Sequence, residues 1–259
     1  MKLVVKISGA ALDNKELVKK FASAIPSLCQ EGHQVVVVHG GGAALSRTLN
    51  QLGCETSFVN GLRVTDSQTR DVAIMVLAGQ LNKQLVATIG AAGQPAIGIC
   101  GGDLGMFRAS KKQSPDLGFV GEIRSVNREA IERLWSARIV PVVSSLALGY
   151  DGEYYNVNAD QMASACAVAC GAHALIYLTD VSGVKDADGT VIRWLDVKAI
   201  PRMVEQATVS GGMLPKLEAC RTALMRGVNR VRILPAEQVE ALPEFYSTRI
   251  ESGTEVLVA

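Results

Sequence analysis

The chain lacks an excess of either charge: 26 lysines and arginines face 25 aspartates and glutamates across 259 residues, a formal net charge of +1. No global field exists to hold a polyanion, so nucleic acid is not an expected partner. Long apolar runs are missing too. The opening stretch, MKLVVKISGAALDNKELVKK, carries charge inside its short apolar segment, and no run approaches the ~18 apolar residues a spanning helix needs. No membrane partner is expected, and the chain reads as cytoplasmic and unprocessed. Histidine is scarce, and none of His33, His39 and His173 has a partner at triad or metal spacing. His39, beside a glycine run, reads as a packing or hydrogen-bonding residue. Six cysteines (Cys29, Cys54, Cys100, Cys166, Cys170, Cys220) are scattered without a secretion signal, which argues against disulfides. Cys166 and Cys170 share a helix face, but no further His or Cys stands at ligand spacing. They read as small buried residues, and no metal site is expected.

Two familiar phosphate signatures are also missing. No G-x-x-x-x-G-K-[ST] occurs, and no G-x-G-x-x-G follows a strand, which disfavours a P-loop NTPase and a standard dinucleotide-binding dehydrogenase.

What is present is the composition of a packed protein, 48% hydrophobic and 20% charged with only 5% aromatic residues. A chain of this size forms one domain or two closely joined lobes. Leu3–Ile7 and Gln34–His39 are short β-branched runs, and between them Leu17, Val18, Phe21, Ile25 and Leu28 recur at helical spacing. That is a βαβ unit, whose strands are buried on both faces. Ala96–Cys100, Ile139–Ser144, Ala174–Thr179 and Arg230–Leu234 read as further central strands. Helices are predicted at Asn14–Leu28, Ala43–Leu52, Ser67–Ala91, Arg128–Ala137, Ala159–Cys170, Val197–Gln206 and Pro215–Arg226. The spacing therefore predicts an α/β fold, a three-layer αβα sandwich with an open, mainly parallel central sheet. Runs broken by Gly, Pro and Asp near Phe58–Val64, Phe107–Arg124 and Leu148–Val157 read as hairpins or edge ribbons added to that sheet. A lobe boundary is expected near Gly171, dividing 1–170 from 171–259.

Glycines stand where strands give way to helices, at Ser8-Gly9 and at Gly40-Gly41-Gly42. Bare N–H groups followed by a helix N-terminus suit an anion, and phosphate is the obvious one; tight strand-to-helix packing is the alternative for either loop. Asp186-Ala187-Asp188-Gly189 lacks the later Glu of a calcium loop and reads as a turn.

Taken together, Lys6-Ile7-Ser8-Gly9, His39-Gly40-Gly41-Gly42, Asn60-Gly61-Leu62-Arg63-Val64-Thr65, Asn156-Val157-Asn158-Ala159-Asp160, Leu178-Thr179-Asp180-Val181-Ser182-Gly183-Val184 and Gly212-Met213-Leu214-Pro215-Lys216 resemble the amino acid kinase family, and within it the acetylglutamate kinases. The resemblance runs in order over nearly the whole chain. It implies transfer of a phosphoryl group from Mg²⁺-ATP to the side-chain carboxylate of N-acetyl-L-glutamate, in arginine synthesis. Ser8 departs from the K-x-G-G of that branch and is closer to the K-x-S-G of bacterial uridylate kinases.

By this resemblance Lys6 and Lys216 neutralise the moving phosphoryl group from opposite sides, and Asp160 is the carboxylate that organises both. The residues alone also allow exposed lysines and an N-cap aspartate. Arg63 resembles the clamp on the substrate's α-carboxylate, Asn156 a hydrogen-bonding partner of the same substrate, and Gly41 and Gly42 donors between substrate and γ-phosphate. Ser8 and Gly9 would face phosphate; Asp180, Val181, Ser182, Gly183, Val184 and Lys185, with Thr208, Val209 and Ser210, resemble the nucleotide-binding loops. Residues 1–170 would then bind acetylglutamate and dimerise, and 171–259 would bind ATP. No general base stands out, which suits an acceptor carboxylate that is already ionised at neutral pH. The resemblance further implies a homodimer, joined through the apolar stretch Val72–Leu77, and insensitivity to arginine, since only five residues precede Lys6. A sister kinase acting on uridylate and a non-catalytic amino-acid sensor are the competing readings.

Overall fold

The valine run of strand β2 (Gln34–His39) has no polar side to turn to water, and the computed structural model, which describes residues 1–206, 208–209, 211–242 and 252–258, buries it on both faces. It lies in an eight-stranded sheet ordered β12-β14-β13-β11-β1-β2-β8-β5. The strands are β1 (Lys2–Ile7), β2, β5 (Ala96–Ile99), β8 (Val140–Ser144), β11 (Ala174–Thr179), β12 (Trp194–Asp196), β13 (Arg230–Pro235) and β14 (Thr254–Leu257). Every pairing is parallel except β13 with β14. The six predicted central strands are all present within two residues of their expected ends.

Alternation along β1 sorts the two helical layers. Leu3, Val5 and Ile7 face α2 (Lys15–Gln30) and α5 (Asn82–Ala91), while Val4 shares its side with α6 (Arg128–Ser136), α7 (Ala159–Cys170) and α9 (Met213–Met225). The αβα sandwich is thus as expected. Cys166, Cys170 and Cys220 are buried in the second layer as small apolar residues.

Several features differ from the expectation. The ribbons do not extend the main sheet: β3 (Phe58–Val59) pairs only with β4 (Leu62–Arg63), and β6 (Phe107–Lys111), β7 (Gly121–Val126), β9 (Leu146–Gly149) and β10 (Tyr154–Asn156) form a sheet of their own. Phe107, Ala109, Ala147 and Tyr155 bury one face of it in the core shared with α6 and α7, so its stability comes from face packing rather than from an edge pairing. The Ser8-Gly9 turn opens directly into a four-residue helix, α1 (Gly9–Leu12), capped by Ser8, whose Oγ accepts from Ala11 N. So short a helix has no periodicity of its own to detect. The predicted Val197–Gln206 helix is a 3₁₀ turn, Val197–Ala199, followed by α8 (Ile200–Glu205).

The long helix is continuous over Ser67–Ala91, but α4 (Ser67–Ala73) and α5 are joined by a π-helical segment, Ile74–Leu81. Although Asn82 and Lys83 interrupt its apolar run, its mean hydropathy of 1.4 makes it the one helix among the described residues long and apolar enough to cross a membrane. Val72, Val76, Leu77, Leu81, Leu85 and Ile89 are nevertheless buried inside the protein. The remaining helix, α3 (Gly42–Gln51), starts at the end of β2.

Candidate active site

Helix α7 begins at Asn158, whose Oδ1 accepts from the N–H groups of Asp160 at 2.9 Å and Gln161 at 3.1 Å. Because Asn158 performs the capping, the Asp160 carboxylate in the first turn is left for another use. Lys6 Nζ, from the end of β1, lies 2.8 Å from Asp160 Oδ1, and Lys216 Nζ, from the first turn of α9, lies 2.9 Å from Oδ2. All three residues are buried, each 6% exposed. Neither lysine is solvated, and Asp160 is not the N-cap.

Burial alone would raise the Asp160 carboxyl, but the two ammonium groups outweigh it and bring its pKa to about 2. Burial lowers the Lys6 pKa, against the pull of Asp160, and the neighbouring charge of Lys216 lowers it further. One carboxylate divides its oxygens between the two lysines, which offsets part of their burial and mutual repulsion.

Lys6 also lines a cleft of about 210 Å³ that contains Gly9, Gly41, Gly42, Arg63 and Asn156, with Phe58, Leu62, Leu77 and Val120 supplying apolar walls. The structure therefore brings together the residues expected at both ends of an acceptor. Arg63, on β4, is buried and has no carboxylate partner among the described residues. Its Nη2 donates to Gly42 O at 3.1 Å and Ser46 Oγ at 2.6 Å, and the Phe58 ring covers its guanidinium at 4.6 Å. Its Nη1 is buried without a partner, which leaves one donor of the guanidinium unused. Asn156 Nδ2 donates to Thr65 Oγ1 at 3.3 Å, and Thr65 Oγ1 in turn donates to Arg63 O at 3.0 Å, so Thr65 fixes the two residues relative to each other.

The two glycine turns meet over this cleft. A Cβ at Gly9 would lie 3.1 Å from Gly41 Cα, and a Cβ at Gly41 would collide with Leu81 and come within 2.7 Å of Leu77 Cδ2. Both residues sit in the π-helical segment, which presses on the loop from below. His39 ties the loop down as well: its Nδ1 is 2.8 Å from Gly40 O and its Nε2 3.0 Å from Asn82 Nδ2. Since a carbonyl only accepts, Nδ1 carries the proton and Nε2 accepts from the amide. Burial holds the His39 pKa down at about 4, so the ring is neutral at pH 7. The hydrogen-bonding role expected of His39 is the one found.

The nucleotide-side residues are not gathered into that cleft. Asp180, Val181, Ser182 and Lys185 are exposed beyond β11, and Asp180 acts on Lys6 through charge. Gly183 and Val184 are buried, and Val184 N donates to Thr254 Oγ1 at 2.8 Å. Thr208 is half-buried, Val209 packs into the core, and Ser210 lies outside the described residues. The main chain of Val184 is engaged as well, its carbonyl accepting from Ile192 N at 2.8 Å. Asp186 Oδ1 accepts from Asp188 N and Thr190 N, which makes the expected turn. Ser46, Asn82 and Tyr177 were not singled out from sequence, and Thr65 stood in the Asn60–Thr65 motif without a role of its own; Ser46, one helical turn beyond Gly42, carried a spacing signal, and Asn82 and Tyr177 carried none.

The chain is 62% identical over 258 residues to an acetylglutamate kinase of Koribacter versatilis, with 99% of each chain covered. It is 57% identical to an acetylglutamate kinase of Acidobacterium capsulatum, with both chains covered in full. Its fold superposes on N-acetylglutamate synthase from Neisseria gonorrhoeae, solved with coenzyme A and N-acetyl-glutamate, with a TM-score of 0.88 at 26% identity, covering 100% of this chain and 59% of that one. The sequence model of the amino acid kinase family matches residues 1–235, and with the sheet order and relatives just described this establishes that the chain belongs to the amino acid kinase family.

Proposed function

We propose that the protein transfers the γ-phosphoryl group of ATP to the side-chain carboxylate of N-acetyl-L-glutamate, forming N-acetyl-L-glutamyl 5-phosphate and ADP in the cytoplasmic synthesis of arginine. The observation that carries this reading is the Lys6–Asp160–Lys216 cluster beside a cleft that buried Arg63 also lines, with its Nη1 left without a partner. Phosphoryl transfer spreads charge over the equatorial oxygens of the moving group, and fixed cations are what lower its barrier. Lys6 and Lys216 supply them, and Asp160 keeps them together before the phosphates arrive.

The acceptor end follows from charge and shape. Arg63 takes the α-carboxylate, Asn156 hydrogen-bonds the same substrate, and Gly41 and Gly42 direct N–H groups to the space between acceptor and γ-phosphate. Ser8 and Gly9 approach the phosphates, and the loops Asp180–Lys185 and Thr208–Ser210 hold the nucleotide. Residues 1–170 thus bind acetylglutamate and 171–259 bind ATP. Among the described residues no three His, Cys, Asp or Glu side chains gather at metal spacing, so the Mg²⁺ that accompanies ATP takes its ligands mainly from phosphate and water. Two subunits join through the Ser67–Ala91 helix, where Met75 is 65% exposed.

Ser8 was the sole pointer to uridylate, and its hydroxyl is occupied in capping α1. A sensor would have no phosphoryl charge to neutralise. The test is purified protein with Mg²⁺-ATP and, separately, N-acetylglutamate, glutamate and uridylate, with acyl phosphate trapped by hydroxylamine and ADP followed. Hydroxamate is expected with N-acetylglutamate alone; ADP release with uridylate alone, or no turnover with any acceptor, would overturn the reading.

A further inference from the structure

Tyr177 follows three aliphatic residues in strand β11 and is fully buried. A Leu or Phe would fill such a site without placing a hydroxyl in the core, so the phenol needs a partner. It has one: Oη donates to the backbone carbonyl of Asp160 at 3.1 Å. The ring lies beneath Lys216, with Nζ 5.1 Å from its centroid. Across the sheet Tyr177 is the register partner of Lys6, on the same face. One side chain therefore touches or adjoins all three members of the charged cluster.

We propose that Tyr177 is a positioning residue for phosphoryl transfer, its ring face holding the Lys216 ammonium and its hydroxyl fixing the main chain of Asp160. This rests on reading the cluster as the phosphoryl-transfer machinery. A lysine on a flexible four-carbon stem can reach a carboxylate in many geometries. The negative face of an aromatic ring within about 6 Å selects among them, and the hydroxyl steadies the first turn of α7, from which the carboxylate projects. Tyr177 touches no substrate, so its effect falls on turnover rather than on binding.

The experiment compares wild type, Tyr177→Phe and Tyr177→Leu for kcat, both KM values and thermal unfolding, each repeated in a Lys216→Ala background. Tyr177→Phe, which keeps the ring, is expected to lose roughly threefold to tenfold in kcat, the scale of one hydrogen bond. Tyr177→Leu should lose roughly tenfold to a hundredfold, with both KM values within about twofold, as expected of a misplaced catalytic group. In the Lys216→Ala background, where only the hydroxyl's hold on Asp160 remains, the Leu substitution should add no more than the loss that Tyr177→Phe shows in wild type. Full turnover in Tyr177→Leu, or an equal loss with Lys216 already removed, would overturn the inference. A second readout does not depend on activity. The Lys216 Hε proton resonances, identified by their loss in Lys216→Ala, should be displaced upfield by the ring in wild type and Tyr177→Phe and return to the ordinary position in Tyr177→Leu. Absence of that displacement in wild type would refute the stacking. A wild type that stacks but forms no hydroxamate would instead refute the functional reading.

Discussion

Two lysines within 3 Å of one buried carboxylate form a site that carries one positive charge in excess before substrate binds. An incoming phosphate competes with Asp160 for both cations, so the interaction strengthens as charge develops on the moving group. Lys6→Ala and Lys216→Ala are therefore each expected to lower kcat by about a hundredfold to a thousandfold while changing either KM little; steady-state kinetics on the two substrates checks this, and near-normal kcat in either variant would remove that lysine from the mechanism. Arg63 stands on different ground, since the α-carboxylate proposed as its partner does not react. Arg63→Ala should raise KM for N-acetylglutamate by about tenfold to a hundredfold, the worth of a hydrogen bond to a charged group, and leave KM for ATP unchanged. Equal effects on both substrates would contradict the clamp.

At the scale of elements, the glycine loop is shaped by the helix beneath it. Leu77 and Leu81 occupy the space that any side chain at Gly41 would need. Gly41→Ala is accordingly expected to displace the loop and cost about tenfold or more in kcat/KM, while a cut-back of the opposing side chain, Gly41→Ala with Leu81→Ala, should recover part of the loss. Kinetics of the single and double variants decides this, and an unaffected single variant would show that the loop is not held from below. The π-helical segment that places these leucines had no signal in the sequence, because the apolar spacing of Val72–Leu81 is satisfied nearly as well by an ordinary helix. The central strands and most helices, by contrast, were legible from periodicity; their caps, Asn14 and Asn158, were not picked out, and Asp160, the cap the residues alone allowed, is not one. Strand β12, three residues long, was missed, since its pairing with β14 is a tertiary event.

The whole molecule responds to acid through its buried neutral imidazole. The folded pKa of His39 is about 4 against 6.5 for the free side chain. Between those values the unfolded chain binds a proton that the folded one refuses, so stability falls as pH drops through the window from 6.5 to 4, by about 3 kcal/mol for this group. Asp160 adds to the loss at still lower pH, from its ordinary value of 3.8 down to about 2, as its ion pairs are protonated away. Urea unfolding at pH 7, 5 and 4 should show a shallower decline in His39→Gln than in wild type; parallel declines would mean that His39 does not carry the effect.

The βαβ order, the glycine turns and the six separated motifs that resemble the amino acid kinases are written in the sequence, because periodicity and turn chemistry act over a few neighbouring residues and motifs keep their residue types. Convergence of Lys6, Asp160 and Lys216, though implied by that resemblance, is physically the work of the sheet, which sets β1 beside β11 and packs α7 and α9 over both. The partner of the Tyr177 hydroxyl, the tautomer of His39, the unpaired nitrogen of Arg63 and the separate ribbon sheet depended on contacts between residues far apart in the chain. Burial and hydrogen-bond geometry, which decide each of them, exist only once the layers have closed.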